Sequence, residues 1–174
     1  MAVVEIHQDS ATDSVSTIGF NHKKIHEGLH FSTSYYEKIG AASAINILVT
    51  APAIGQYNFI AEIDTDGPGM FTFSKNPNAT ATGSSVITSF NNNENSSNVS
   101  TLTHTVNGTY TSSGTVLITH VIGNSSGLGA NELIMGGENM IEIELAPSST
   151  HLLRFVADNS SCRTVILTHF HKED

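Results

Sequence analysis

Apolar and polar residues alternate along much of this chain, which is the pattern typical of β-strands that bury one face. In the segment 141–145, Ile141, Ile143 and Leu145 lie on one side while Glu142 and Glu144 lie on the other. This arrangement predicts one buried and one solvated face. The same alternation predicts strands around Ile45–Val49, Phe59–Ile63, Phe71–Phe73, Leu153–Phe155 and Val165–Phe170. Further strands are predicted at Ile25–Tyr36, Val86–Phe90, Val99–Val106 and Thr115–Ile122.

Turn-forming residues separate these strands. Thr65–Gly69, with the sequence Thr-Asp-Gly-Pro-Gly, and Asn107-Gly108 both predict hairpin turns, and Ala146–Ser149 ends the Glu-rich strand. No helix is predicted, apart from a single turn at Asn131–Met135. Eight to ten short strands with such spacing predict an all-β, jelly-roll-like β-sandwich.

The composition fits one folded domain with an uncharged polar surface. The chain has 174 residues, of which 39% are hydrophobic and only 13% are charged. Its net charge of −9 argues against nucleic-acid binding, which depends on Lys and Arg, and against attraction to anionic membranes. Cys162 is the only cysteine, so no internal disulfide forms. The N-terminus lacks the features of a signal peptide, so we expect the protein to be made in the cytosol.

The chain contains nine histidines, so we compared their spacing with that of metal ligands. His22, His26 and His30 recur every four residues, but on the predicted strand the outer two lie about 26 Å apart, too far to share one ion. His169, His171 and Glu173 approach the ligand pattern of cupin metal enzymes. The spacing to the acidic residue is too short, however, and no fourth ligand follows. We therefore predict no metal, cofactor or catalytic residues.

Two groups of acidic residues have ordinary structural explanations, and one pair of tyrosines leaves a binding function open. Asp64–Gly67 offers the oxygen ligands of a calcium loop but lacks the closing bidentate Glu. Glu142 and Glu144 fit a solvated strand face. The pair Tyr35-Tyr36 directs at least one ring outward, which leaves carbohydrate binding open.

An ordered set of segments resembles a family of small virion proteins of tailed phages and prophages. The resemblance spans roughly residues 18–170, and His151 stands where the family often has Tyr. The segments that carry it are His22–Phe31, Ala44–Thr50, Gly123–Gly137, Glu142–Leu145 and Thr150–Phe155.

The resemblance implies a non-catalytic capsid decoration, or cement, protein. Such a protein sits on the capsid surface of the virion, binds the major capsid protein and forms a homo-oligomer, either a dimer or a trimer. A tail or fibre component with a carbohydrate-binding β-sandwich is the alternative, and a metal-dependent β-barrel enzyme ranks third. We expect no partner among nucleic acids or membranes.

The chain divides into an N-terminal arm, residues 1–16, and a single β-sandwich domain, residues 17–174. The arm contains the short apolar stretch Ala2, Val3, Val4, Glu5 and Ile6. We predict that these five residues bind a partner by adding a strand to a neighbouring sheet. Pairing within the chain's own domain is the alternative.

Overall fold

The computed structural model describes the backbone of residues 4–8, 15–80, 84–123 and 140–172, and the side chains of residues 23–79, 84–123 and 141–172. These ranges contain one short helix, α1 (Phe20–His26), and fifteen strands. The strands are β1 (Val4–Gln8), β2 (Val15–Gly19), β3 (His30–Ile39), β4 (Ala44–Thr50), β5 (Tyr57–Thr65), β6 (Gly69–Lys75), β7 (Asn78–Thr80), β8 (Ser85–Ile87), β9 (Phe90–Asn91), β10 (Thr103–Val106), β11 (Thr109–Ser112), β12 (Thr115–Ile122), β13 (Met140–Leu145), β14 (Thr150–Ala157) and β15 (Cys162–Lys172). No helix in the described ranges is long and apolar enough to cross a membrane.

Two antiparallel sheets form a β-sandwich, which confirms the predicted fold class. The five-stranded sheet has the order β13-β5-β15-β3-β9, and the six-stranded sheet has the order β12-β6-β14-β4-β10-β8. Eight of these strands form a jelly roll. Along the chain they are β3, β4, β5, β6, β12, β13, β14 and β15, and every connection except that from β6 to β12 crosses between the sheets. The sequence predicted eight to ten strands, whereas the two sheets contain eleven among the described residues, because β8, β9 and β10 are added to the eight.

The core lies between the two sheets and follows the alternation read from the sequence. Ile45, Ile47 and Val49 of β4 are at most 2% exposed, and they face Phe59 and Phe170 of the opposite sheet. Along β15, Ile166, Thr168 and Phe170 are buried, whereas Val165, Leu167 and His169 point outward and are half-buried. Cys162 opens β15 as a buried free thiol.

The prediction of no helix was wrong for Phe20–His26, which forms α1 and overlaps the first two residues of the strand predicted from Ile25. Gly28, at a φ of +67°, ends the helix. Its N–H bonds to the Ile25 carbonyl, and the Leu29 N–H bonds to the Lys24 carbonyl, which is the hydrogen-bond pattern of a Schellman C-cap. His22 and His26 therefore lie in a helix and only His30 begins a strand. The turn predicted at Asn131–Met135 lies outside the described residues.

Two of the predicted hairpins are corrected. Thr65–Gly69 does make a tight turn, but it joins β5 of one sheet to β6 of the other. Asn107 has a φ of 63° as a turn residue, yet β10 and β11 on either side of it pair with different strands. A tight turn and a sheet-to-sheet crossing use the same residues, so local sequence does not distinguish them. The predicted strand Val86–Phe90 is likewise two strands, β8 and β9, in different sheets.

Candidate functional site

An Asn-rich segment closes over the turn that joins α1 to β3. The side-chain amide of Asn93 donates to the His26 carbonyl, and the side-chain amide of Asn91 donates to the Gly28 carbonyl, both at 3.0 Å. The Asn98 amide donates to the Glu27 carbonyl at 3.4 Å and, at 3.2 Å, to the Gly28 carbonyl that Asn91 also contacts. The acceptors are the carbonyls of residues 26–28, which the end of the helix leaves without helical partners. This Asn-rich segment, residues 91–98, is therefore bound to the helix end by side-chain hydrogen bonds.

Gly28 is required at this junction for two reasons. Its φ of +67° lies in the left-handed region, which residues with a Cβ atom rarely adopt. A Cβ atom at this position would also collide with the side chain of Ser96. The segment His22–Phe31, which contributes to the family resemblance, thus contains a residue that the fold itself demands.

Three histidines meet on the outer face of the five-stranded sheet. His171 lies directly opposite His30 across β15 and β3, and the His30 ring lies 6.1 Å from that of His171 and 6.2 Å from that of His169. Asn92 and Ser32 complete the group. The Asn92 side-chain nitrogen is 2.9 Å from Nδ1 of His30, and the Ser32 hydroxyl is 2.9 Å from Nδ1 of His169. The sequence placed His169 and His171 together but did not reveal His30, because that proximity depends on strand register.

The chemistry of this histidine cluster is that of a hydrogen-bonded polar patch. Burial, followed by the charges of His171 and His169, lowers the pKa of His30 to about 4, so its ring is neutral at pH 7. The Ser32 hydroxyl donates to the Asn92 side-chain oxygen at 2.9 Å, so its proton is directed to Asn92 rather than to His169. Among the described residues, no group of three or more His, Cys, Asp or Glu side chains is arranged to hold a metal ion. Glu173, the third member of the cupin-like pattern, lies outside them.

The carboxylates singled out in the sequence are dispersed over the surface. Asp64 and Asp66 are both exposed, and Asp66 accepts a hydrogen bond from the backbone N–H of Arg163 at 2.6 Å, which ties the turn after β5 to the start of β15. Glu142 and Glu144 point outward from β13, as their alternation predicted. These acidic groups therefore act in turns and on solvated faces.

Of the four tyrosines, Tyr36 alone is largely exposed, at 59% of its surface. Tyr35 is part-buried and donates to Glu37 at 2.8 Å, and burial with this hydrogen bond raises its pKa. Tyr57 is buried and contacts Thr101 through its hydroxyl. Tyr110 lies beneath the guanidinium of Arg154.

The N-terminal stretch forms a small sheet of its own. Val4, Glu5 and Ile6 lie in β1, which pairs antiparallel with β2, with Ile6 opposite Thr17. Ala2 and Val3 lie outside the described residues. The β1–β2 pair is a two-stranded sheet, separate in its hydrogen bonding from both sheets of the sandwich. It crosses the boundary predicted at residue 16, because β2 spans Val15–Gly19.

The two large sheets differ sharply in charge. None of the residues described in the six strands of the six-stranded sheet is Asp or Glu, and two, Lys75 and Arg154, are cationic. The five-stranded sheet carries five acidic residues against three basic ones, Lys38, Arg163 and Lys172; the acidic residues are Glu37, Glu62, Asp64, Glu142 and Glu144. In a protein with 16 acidic and 7 basic residues, the described strands of one sheet therefore contain no carboxylate. It was not visible in the sequence, because it depends on which strands pair.

The outer face of the six-stranded sheet is partly covered by the β7–β11 ribbon. The Arg154 guanidinium lies 5.4 Å from the ring centroid of Tyr110 on β11, a cation–π contact. The Nε atom of Arg154 and the side-chain oxygen of Asn46, its register partner on β4, are both buried without a hydrogen-bond partner. Leu48 and Leu152 line a recess beside them. This face therefore combines apolar side chains with a cation whose hydrogen-bonding capacity is only partly used.

A scan against models of protein families finds none that matches this chain, and a search of curated proteins finds no matching relative.

Proposed function

We propose that this chain is a non-catalytic structural protein of a tailed-phage virion, a decoration or cement protein that binds the outside of the head and stabilises the contacts between capsomers. The observation that carries the proposal is the charge segregation between the two sheets. A protein that coats a shell needs one face to attach and another to meet solvent. The acid-free six-stranded sheet suits attachment, and the acidic five-stranded sheet suits solvent exposure.

The energetics of docking favour the six-stranded sheet as the attachment face. Burying a carboxylate without a partner costs several kcal/mol, so a docking surface free of Asp and Glu avoids that cost. Arg154 and Lys75 add donors that pair with carboxylates or carbonyls of the major capsid protein. Arg is common at the centres of protein interfaces because its planar group both stacks and donates.

The motif residues support a structural role. Gly28 ends α1, and Leu153 and Phe155 of β14 fill the core. These positions stabilise a fold and present no converging reactive groups. Binding only to the assembled shell stabilises that shell by mass action, and many copies at symmetry-related sites act together.

The N-terminal residues Ala2, Val3, Val4, Glu5 and Ile6 are proposed as a second contact with the capsid or with a neighbouring subunit. The β1–β2 ribbon supports this proposal because each of its two strands has an outer edge. No other described strand pairs with either edge, so both are open to strand addition.

Co-sedimentation with undecorated phage heads tests the proposal. The wild-type protein is expected to pellet with heads in a saturable ratio and to remain in the supernatant with unassembled capsid protein. Thr103→Glu places an acidic group on the exposed outer side of β10 in the six-stranded sheet and should weaken binding. Ser34→Glu makes the matched change on the exposed outer side of β3 in the five-stranded sheet and should leave binding intact. Loss of binding by Ser34→Glu alone would reverse the assigned face, and no binding by the wild type would contradict the proposal.

A carbohydrate-binding component of the tail or fibre is the second candidate. Tyr36 and Phe90, which are 59% and 63% exposed, lie on strands β3 and β9 of the five-stranded sheet and both face outward. Exposed aromatic rings on a sheet face are what sugar rings stack against. A glycan array on which the wild type binds and Tyr36→Ala does not would favour this candidate over the first.

A further inference from the structure

The four outer edges of the sandwich are unequal. In the described structure, β8 and β9 end their sheets with only three and two residues. β13 ends the five-stranded sheet with Glu142 and Glu144 on its exposed face. β12 ends the six-stranded sheet with eight residues. Short strands and charged side chains are the usual means by which proteins prevent edge-to-edge pairing, and β12 has neither.

β12 combines apolar exposure with a stretch of regular pairing after an irregularity near its start. Its sequence, Thr115–Ile122, contains no Pro and no Asp, Glu, Lys or Arg. Val121 is 77% exposed, Val116 48% and Leu117 42%. The register with β6 shifts between Val116 and Ile118, and from Ile118 to Ile122 the pairing is uninterrupted. Among the described strands, only β6 pairs with this regular part, so the N–H and C=O groups along its other side are open to a further strand.

Charge decides which partner fits this edge. The chain carries a net charge of −9, so two copies repel one another over most of their surfaces. The six-stranded sheet is the exception, since its described strands hold no acidic residue and β12 itself carries no Asp, Glu, Lys or Arg. Self-association along β12 brings no like charges into opposition across the new strand pair.

We propose that β12 pairs antiparallel with β12 of a second copy of this chain, forming a homodimer about a two-fold axis. An antiparallel strand pair made of identical strands satisfies two-fold symmetry, so the same surface serves both copies. The two six-stranded sheets then form one continuous sheet, and Val121 of each copy is covered by the partner strand. This inference assigns a surface to the homo-oligomer expected from the sequence, and it does not rest on attachment to a phage head, because the pairing involves β12 alone.

Sedimentation-velocity ultracentrifugation over a range of protein concentrations tests the pairing. The wild type is expected to be a reversible dimer. Val121→Lys should raise the dimer dissociation constant by about tenfold or more, because a symmetric interface carries the new charge twice. Thr119→Lys, also exposed on β12, should do the same, and circular dichroism should show both variants folded. Val86→Lys, at a 69% exposed valine on the opposite edge of the same sheet, is the matched control and should leave the dimer intact.

A wild type that stays monomeric at every concentration would overturn the proposal. So would an oligomer that survives both β12 substitutions, or one that Val86→Lys disrupts equally. Hydrogen exchange gives an independent readout, since the amides of 118–122 should gain protection as the concentration rises. Co-sedimentation of a monomeric Val121→Lys variant with heads separates a failure of this interface from a failure of the decoration role.

Discussion

The Nε2 atom of His104 lies 3.2 Å from the hydroxyl oxygen of Thr168, so a buried hydrogen bond joins the two sheets of the sandwich. His104 belongs to β10 in the six-stranded sheet and Thr168 to β15 in the five-stranded sheet. The Thr168 hydroxyl is in turn 2.6 Å from that of Thr33. The His104 ring also packs against the rings of Phe59 and Phe170, at centroid distances of 6.0 and 5.3 Å. An ionisable ring thus occupies a position that an apolar side chain would normally fill.

This burial predicts that the protein loses stability in acid. Burial lowers the pKa of His104 to about 4 in the folded state, against 6.5 in the unfolded chain. As pH falls below 6.5 the unfolded state binds the proton first, so stability present above pH 6.5 is lost progressively down to pH 4, by about 3 kcal/mol. His30 and His151, whose pKa values burial also lowers to about 4, act in the same direction.

Urea unfolding measured between pH 4 and 8 checks this prediction. His104→Leu should reduce the dependence of the unfolding free energy on pH across that window, and His30 and His151 should account for what remains. Thr168→Val removes the hydrogen-bond partner but keeps the imidazole buried, so it should lower stability at every pH and preserve the slope. An unchanged slope in His104→Leu would show that His104 does not control the acid response.

Replacing Gly28 should destabilise the junction between α1 and β3. Gly28→Ala forces a Cβ atom into the left-handed backbone region and against Ser96, so we expect a loss of about 1–3 kcal/mol in the free energy of unfolding. Gly40→Ala is the matched control, since a Cβ there meets Ser43 at an ordinary 3.5 Å and the backbone is not left-handed. Equal effects of the two substitutions in urea denaturation would contradict the role assigned to Gly28.

Deleting residues 1–10 should leave the sandwich folded. The deletion removes β1, which pairs only with β2 among the described strands, so every strand of the two large sheets remains. We expect the melting temperature to fall by less than about 4 °C, while occupancy on phage heads decreases. Unchanged occupancy would exclude Ala2–Ile6 as a contact, and a loss of cooperative melting would show that the ribbon supports the sandwich.

Reversing the charge of Arg154 should weaken attachment. Arg154→Glu introduces an acidic group into the acid-free sheet and removes the contact with Tyr110, so binding to heads should fall by at least about tenfold in co-sedimentation. Arg163→Glu is the control, because Arg163 is exposed and belongs to the five-stranded sheet. Thermal melts of both variants separate a binding defect from unfolding.

The strand pattern and the core were predictable from the sequence, because side-chain alternation records which face of a strand is buried. Thr115–Ile122 was predicted with the bounds that β12 has, and the faces of β4 and β15 followed from their periodicity. Eight to ten short strands with frequent turns were enough to predict a jelly-roll-like sandwich.

Features that depend on distant contacts were not predictable in this way. Helix α1 has seven residues, too few for a helical period to show, and its end is held by Asn amides more than sixty residues away. The Thr65–Gly69 turn contains hairpin residues but joins two sheets. The histidine cluster and the acid-free sheet follow from strand register and pairing, which local sequence does not specify.

Cryo-electron microscopy of undecorated tailed-phage heads incubated with the purified protein tests the central claim most directly. The account predicts ordered density for the sandwich at symmetry-related positions on the outer shell, with the six-stranded sheet toward the capsid and Glu142 and Glu144 of β13 toward solvent. Bare shells in the presence of folded protein, or density with the acidic five-stranded sheet against the capsid, would contradict it.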